Sequence, residues 1–256
     1  MTRRIRFTLL GDGSSDKALM RHVEWLVREN IAPDVAIDPQ WADLRAAKPK
    51  PEGLHGRIER AVELYPCDVL FVHRDAEKDE PEKRFQEIAE ACDGVRVGSN
   101  PVPVVPVRMS EAWLLCDEKA IRKAAGNPTG EQRLDLPKLK DVEGLTDPKS
   151  TLQNVLRSAS GLTGRRLRAF SPRARLVADN ITDFVSLRRL SAFQRLESDV
   201  QRILAERGLL RNIATVQGAE RQLNLPRARK QPESDHTVDP EHAREAEQQN
   251  GNVTNQ

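Results

Sequence analysis

The sequence predicts an α/β fold: a mostly parallel sheet flanked by helices, then a helical C-terminal subdomain and a disordered tail. Three observations carry that prediction. Short apolar runs at 5–10, 69–72 and 102–107 alternate with longer segments whose apolar residues recur at helical spacing. Glycine, proline or a burst of charge closes each apolar run, as turns at strand ends require. Near the C-terminus, Gln, Glu, Asn, Arg and Pro displace apolar residues, so that stretch cannot bury enough surface to fold. The expected organisation is an α/β domain over 1–125, a helical subdomain over 126–215 and a disordered tail over 216–256.

Along the chain, Ile5 to Leu10 reads as a buried strand ending at Gly11-Asp12-Gly13. A helix follows, with Leu19, Met20, Val23, Leu26 and Val27 on one face and Ser14 or Ser15 as its cap. Asp34 to Asp38 suits a short second strand, and Lys48-Pro49-Lys50-Pro51 is a break. Ile58, Ala61, Val62 and Tyr65 mark the next helix, and Val69–Val72 is the clearest buried strand. Pro81 opens a helix through Ala91. Val102 to Val107 is an edge strand because of Pro103 and Pro106, and Glu111 begins another helix. Pro148 suits a helical first turn, and Phe193, Leu196, Val200, Ile203 and Leu204 define a last helix stopped near Gly208.

Composition excludes several classes. A net charge of +2 gives no global field for nucleic acid, so such a partner must be met by a local patch. Cys67, Cys92 and Cys116 are far apart without a C-x-x-C pair, which argues against a disulfide framework or a zinc site. No apolar run reaches bilayer length and none resembles a signal segment, so the expected location is cytoplasmic, with no membrane partner.

The chemistry lies in the acids that follow strands. Asp12 and Asp16 follow the first, Asp75 and Glu77 follow Val69–Val72, and Glu111 follows the 102–107 run. In an open parallel sheet, groups beyond the carboxyl ends of strands meet in one crevice. Carboxylates brought that close repel one another, and an oxygen-preferring cation such as Mg²⁺ or Mn²⁺ relieves the repulsion. Taken singly, each acid has a plain structural role: a turn residue at Asp12, helix-dipole partners at Asp16 and Glu111, a solvated loop at 75–77. His73 beside this loop is a candidate proton shuttle. Trp113 is expected in the core. The acid-free run holding Arg157, Arg165, Arg166, Arg168, Arg173 and Arg175 is a candidate phosphate-contact surface for nucleic acid.

Gly11-Asp12-Gly13-Ser14-Ser15-Asp16 resembles the first TOPRIM motif, and Asp75-Ala76-Glu77 resembles its D-x-D motif. Ser110-Glu111-Ala112-Trp113-Leu114-Leu115-Cys116-Asp117, Asp147-Pro148-Lys149 and Ser191-Ala192-Phe193 resemble the TOPRIM-like proteins grouped as domain of unknown function 4276. These are related to the TOPRIM domain of overcoming-lysogenization-defect nucleases. The resemblance spans most of 5–207 and implies a TOPRIM-like sheet and a Mg²⁺- or Mn²⁺-dependent nuclease cutting DNA, tRNA or other RNA. It implies Asp12, Asp16, Asp75, Glu77 and Glu111 as metal ligands and catalytic residues. Lys149 is a further catalytic candidate, placed to steady charge in the transition state. Asp12 is one methylene shorter than the usual Glu, and Glu77 one longer than the usual Asp. An ABC-type ATPase partner and a role in prokaryotic defence against phage are also implied, and a homo-oligomer stays open. The chain has no G-x-x-x-x-G-K-[ST] motif with which to be that ATPase itself. Two alternatives stand beside the nuclease: a non-catalytic metal- or nucleotide-binding subunit of an ATPase complex, and phosphoryl transfer through Asp12 or Asp75 as nucleophile.

Overall fold

A computed structural model of the chain describes residues 3–95 and 101–211. Four strands form one parallel sheet among these residues: β1 (Arg3–Leu10), β2 (Val35–Trp41), β3 (Val69–His73) and β4 (Val102–Val104), in the order β2-β1-β3-β4. The helices are α1 (Met20–Asn30), α2 (Gly53–Leu64), α3 (Pro81–Ala91), α4 (Glu118–Ala124), α5 (Pro148–Ala159), α6 (Gly164–Ala169), α7 (Ala174–Asn180) and α8 (Ser191–Glu206). The α/β class and the helical C-terminal part agree with the sequence reading. None of the described helices is long and apolar enough to cross a membrane.

Side chains alternate across the strands, and each sheet face buries its own set. Ile5, Phe7, Leu9, Val69 and Phe71 face one core together with Val23 and Leu26 of α1 and Val200 and Ile203 of α8. Leu10, Leu70 and Val72 face the other, with Ile58 and Ala61 of α2 and Ile88 of α3. Both faces are covered, which is why β3 reads as an unbroken apolar run. From β1 the chain steps to β2 on one side, then crosses to β3 on the other. The strand order therefore reverses at β1, and a crevice opens between the carboxyl ends of β1 and β3.

Three details differ from expectation. The second strand runs to Trp41 rather than stopping at Asp38, and it contains Pro39; an edge strand tolerates that missing N–H because one of its sides is unpaired. The fourth strand ends at Val104, since Pro103 and Pro106 cannot donate to a ladder. Looser bonds continue past it, from Arg74 N to the Val104 carbonyl and Ala76 N to the Pro106 carbonyl, so the two outgoing loops stay together. Finally, the expected helix start is a 3₁₀ turn over Ser14–Leu19 that leads into α1, and neither serine caps it. Asp16 reaches back instead.

The helices after residue 126 do not enclose a core of their own. Leu152, Val177, Phe193 and Val200 lie in the same cluster as Phe7 and Phe71. Trp113, fully buried as the sequence suggested, meets Phe193 edge-on with ring centroids 5.3 Å apart. Gly208, at φ +63, ends α8 with the left-handed residue that glycine adopts at no steric cost. The stretch expected to be a disordered tail, 216–256, lies outside the described residues. Because one core joins sheet and helices, Phe193→Ala should cost about 3–5 kcal/mol. Its denaturation curves by tryptophan fluorescence and by far-ultraviolet circular dichroism should coincide; separate transitions would show two independent domains.

Candidate functional site

The crevice at the strand-order reversal is built by three connections. Asp16 sits in the 3₁₀ turn after β1, largely buried, and its Oδ2 accepts from the backbone N–H groups of Asp12 and Gly13 at 2.8 and 2.9 Å. Its Oδ1 accepts from the Ser15 hydroxyl at 3.0 Å. This closes the turn. Gly11 is required there: a Cβ on it would stand 2.7 Å from the Asp16 Cβ and 2.8 Å from Cη2 of Trp41.

His73, the last residue of β3, is almost wholly buried. Its Nδ1 lies 2.9 Å from the Val104 carbonyl, which only accepts, so Nδ1 bears a proton and donates it there. That leaves Nε2 facing two carboxylates: Asp75 Oδ1 at 3.5 Å and Asp16 Oδ2 at 3.9 Å. Asp75 in turn accepts from the backbone N–H of Ser110 at 2.9 Å. It thereby caps the 3₁₀ turn Ser110–Cys116, whose second residue is Glu111. Trp113, Leu114 and Leu115 of this turn are core residues, so Glu111 is carried on an anchored element.

Burial pushes the Asp75 carboxyl up from its ordinary 3.8 to about 6. His73 and the Ser110 N–H pull it down, while the charges of Glu111 and Asp16 push it further up. Asp16 and Asp75 therefore flank one histidine, and the charge of Glu111 acts on Asp75 as well.

The other candidates stand elsewhere. Asp12 lies on the same rim but turns away from the cluster: its Oδ1 meets Arg57 at 2.8 Å and Arg74 at 3.4 Å. Glu77 is exposed and left-handed at φ 55, opposite Arg108 at φ 67, to which it is tied by Glu77 N donating to the Arg108 carbonyl at 2.7 Å. A glutamate in that region is strained, and here the strain belongs to the loop pairing. Lys149 is exposed in the first turn of α5, beside Asp147, which caps that helix through Ser150 N. The five acids thus do not form one ligand set. Among the described residues, no three or more His, Cys, Asp or Glu side chains are grouped so as to hold a metal ion. The physical reasons lie in the contacts: Arg57 and Arg74 pair with Asp12, and two backbone N–H groups bond one oxygen of Asp16.

Arg57 and Arg74 are the site residues that sequence reasoning missed. Arg57 lies on α2, 45 residues from its partner, and nothing in the local pattern distinguishes it from a solvated lysine or arginine. The arginines of the acid-free run are mostly exposed, and α7, which follows Arg173, packs against both 3₁₀ turns that carry Asp16 and Glu111.

Fold and crevice together define a doubly wound α/β protein with a carboxylate–histidine cluster at the point where strand order reverses. No protein-family model matches the chain, and neither a curated protein nor a solved structure matches it.

The electrostatics set a stability test. The folded value of Asp75 lies above its unfolded value, so ionising it counts against the folded state. Stability contributed by the neutral carboxyl is full below about pH 4 and falls as pH rises to about 6, with a total near 3 kcal/mol for a shift of this size. Asp75→Asn should flatten that fall and denature at higher urea than the wild type at pH 8 without divalent cations; equal midpoints at pH 8 would contradict the burial of a costly charge.

Proposed function

We propose that this chain is a metal-dependent nuclease of the TOPRIM type, hydrolysing phosphodiester bonds in DNA or RNA. The observation that carries the reading is Asp75, largely buried beside His73 and Asp16 and bonded to the N–H of Ser110, the neighbour of Glu111, whose charge also acts on it. Their oxygen donors and surplus negative charge fit a hard divalent cation. Mg²⁺ is commonly held by one or two carboxylates, with water and substrate phosphate filling its remaining positions. Asp75 and Glu111 are the residues that would hold it. A cation bound there supplies charge neutralisation at the scissile phosphate and lowers the pKa of a bound water.

The chain's own residues do the rest. Asp16 fixes the turn after β1, and His73, too buried to reach a substrate, positions Asp75 through Nε2. The Ser110 N–H holds one oxygen of Asp75 in place. The exposed arginines at 165–175 provide counter-charge for a nucleic-acid backbone. The resemblance of Glu111-Ala112-Trp113-Leu114-Leu115 to TOPRIM-like proteins supports the same reading, and with it an ABC-type ATPase partner and a place in defence against phage.

One observation favours a second reading. Asp12 is held by two arginines and Asp16 is engaged by two backbone N–H groups and the Ser15 hydroxyl, as would suit a subunit that binds without cleaving. Cleavage assays separate the two. Labelled DNA, RNA and tRNA should be cut in Mg²⁺ or Mn²⁺, and Asp75→Asn or Glu111→Gln should lower the rate by at least about a hundredfold. Binding without cleavage by the wild type would select the second reading, and cleavage surviving both substitutions would exclude this site.

A further inference from the structure

Beside the carboxylate cluster, on the other side of the Gly11–Ser14 turn, lies a groove of about 380 Å³ at the carboxyl ends of β1 and β2. Its size falls in the range of small-molecule sites. Asp12, Trp41, Arg45, Lys50 and Arg57 are among its lining residues. The Arg57 guanidinium bonds Asp12 Oδ1 at 2.8 Å and also donates to the Gly11 carbonyl, so it is fixed at the groove wall. Arg74, paired with Glu87 at 3.2 Å through one nitrogen, reaches the same Asp12 oxygen at 3.4 Å through another, and its Nε is buried with no acceptor. Trp41, the final residue of β2, sets its ring edge close to Gly11, is half-buried and lines the groove. Arg45 and Lys50 are exposed at the rim.

Two guanidinium groups converging on one anionic oxygen is the arrangement that binds a phosphate, and here an internal carboxylate occupies it. We propose that this groove receives one nucleotide of the substrate strand. Its phosphate displaces the Asp12 carboxylate from Arg57 and Arg74, and its base lies against Trp41. Aromatic stacking of this kind accepts any base, since every base presents a π-face. The groove shares the 11–14 turn with the carboxylate cluster, so a nucleotide seated here holds the adjoining phosphodiester near Asp75 and Glu111. This deepens the nuclease reading and rests on it for the identity of the strand. The displacement makes Asp12 a competitor of the substrate, and that fixes the sign of a mutational effect.

The test is fluorescence anisotropy of short single-stranded DNA and RNA oligonucleotides with the full chain in EDTA, where no cleavage occurs. Asp12→Asn removes the competing charge and should tighten binding several-fold. Arg57→Gln should weaken it about tenfold, and the exposed rim variant Lys50→Glu should weaken it too, with an unchanged melting temperature. An unlabelled mononucleotide should displace the oligonucleotide at lower concentration than inorganic phosphate does. Weaker or unaltered binding by Asp12→Asn would overturn the proposal, as would equal competition by inorganic phosphate, which leaves only an anion site. Cleavage with groove variants that bind normally would reject the groove and keep the nuclease. Groove-dependent binding without cleavage by the wild type would do the reverse.

Discussion

Asp75 is a carboxylate taken largely out of water and set beside two others. Everything in the crevice follows from how that charge is tolerated. The N–H of Ser110 satisfies one oxygen, and His73 stands against the same atom at 3.5 Å. Those two contacts do not balance the burial and the charges of Glu111 and Asp16, because the carboxyl still sits near 6. A protein keeps such an arrangement at the cost of stability, and sites whose pKa values are displaced in this way cluster where chemistry is done. In the proposed reading a divalent cation held by Asp75 and Glu111 would complete the balance.

The architecture explains why these groups meet. The reversal of strand order at β1 brings the ends of β1 and β3 together, and the loops after β3 and β4 remain bonded to each other through residues 74–77 and 104–108. The C-terminal helices take part in this. They fill the core beneath the Ser110–Cys116 turn through Phe193, and α7 packs against both turns that bear acids. The helical half is thereby the backing of the site rather than an attached unit.

Much of this was legible in the sequence. The apolar runs marked three strands, and Pro81, Pro148 and Gly208 marked helix boundaries, because strands and helix ends impose local patterns. The post-strand position of Asp75 and Glu111 was legible for the same reason. What sequence could not show were choices between nearby partners. Asp12 has the motif position of a ligand, yet Arg57, 45 residues on, claims its charge. Asp16 looked like a dipole partner and is a backbone clamp. Glu77 shares a tripeptide with Asp75, but its positive φ follows from pairing with Arg108, a contact between loops far apart in the chain. The partners of Asp12 and Glu77 lie far along the chain and leave no local signature, whereas Asp16 is held by its own turn.

In the proposed reading, the buried charge of Asp75 is left uncompensated until a cation binds. Carbon-13 NMR of the aspartate carboxyl groups, titrated over pH with Asp75 assigned by its Asn variant, measures this directly. Without divalent ions Asp75 should titrate near 6, and saturating Mg²⁺ should bring it below its ordinary value of 3.8. An Asp75 that titrates near 4 in both conditions would contradict the account.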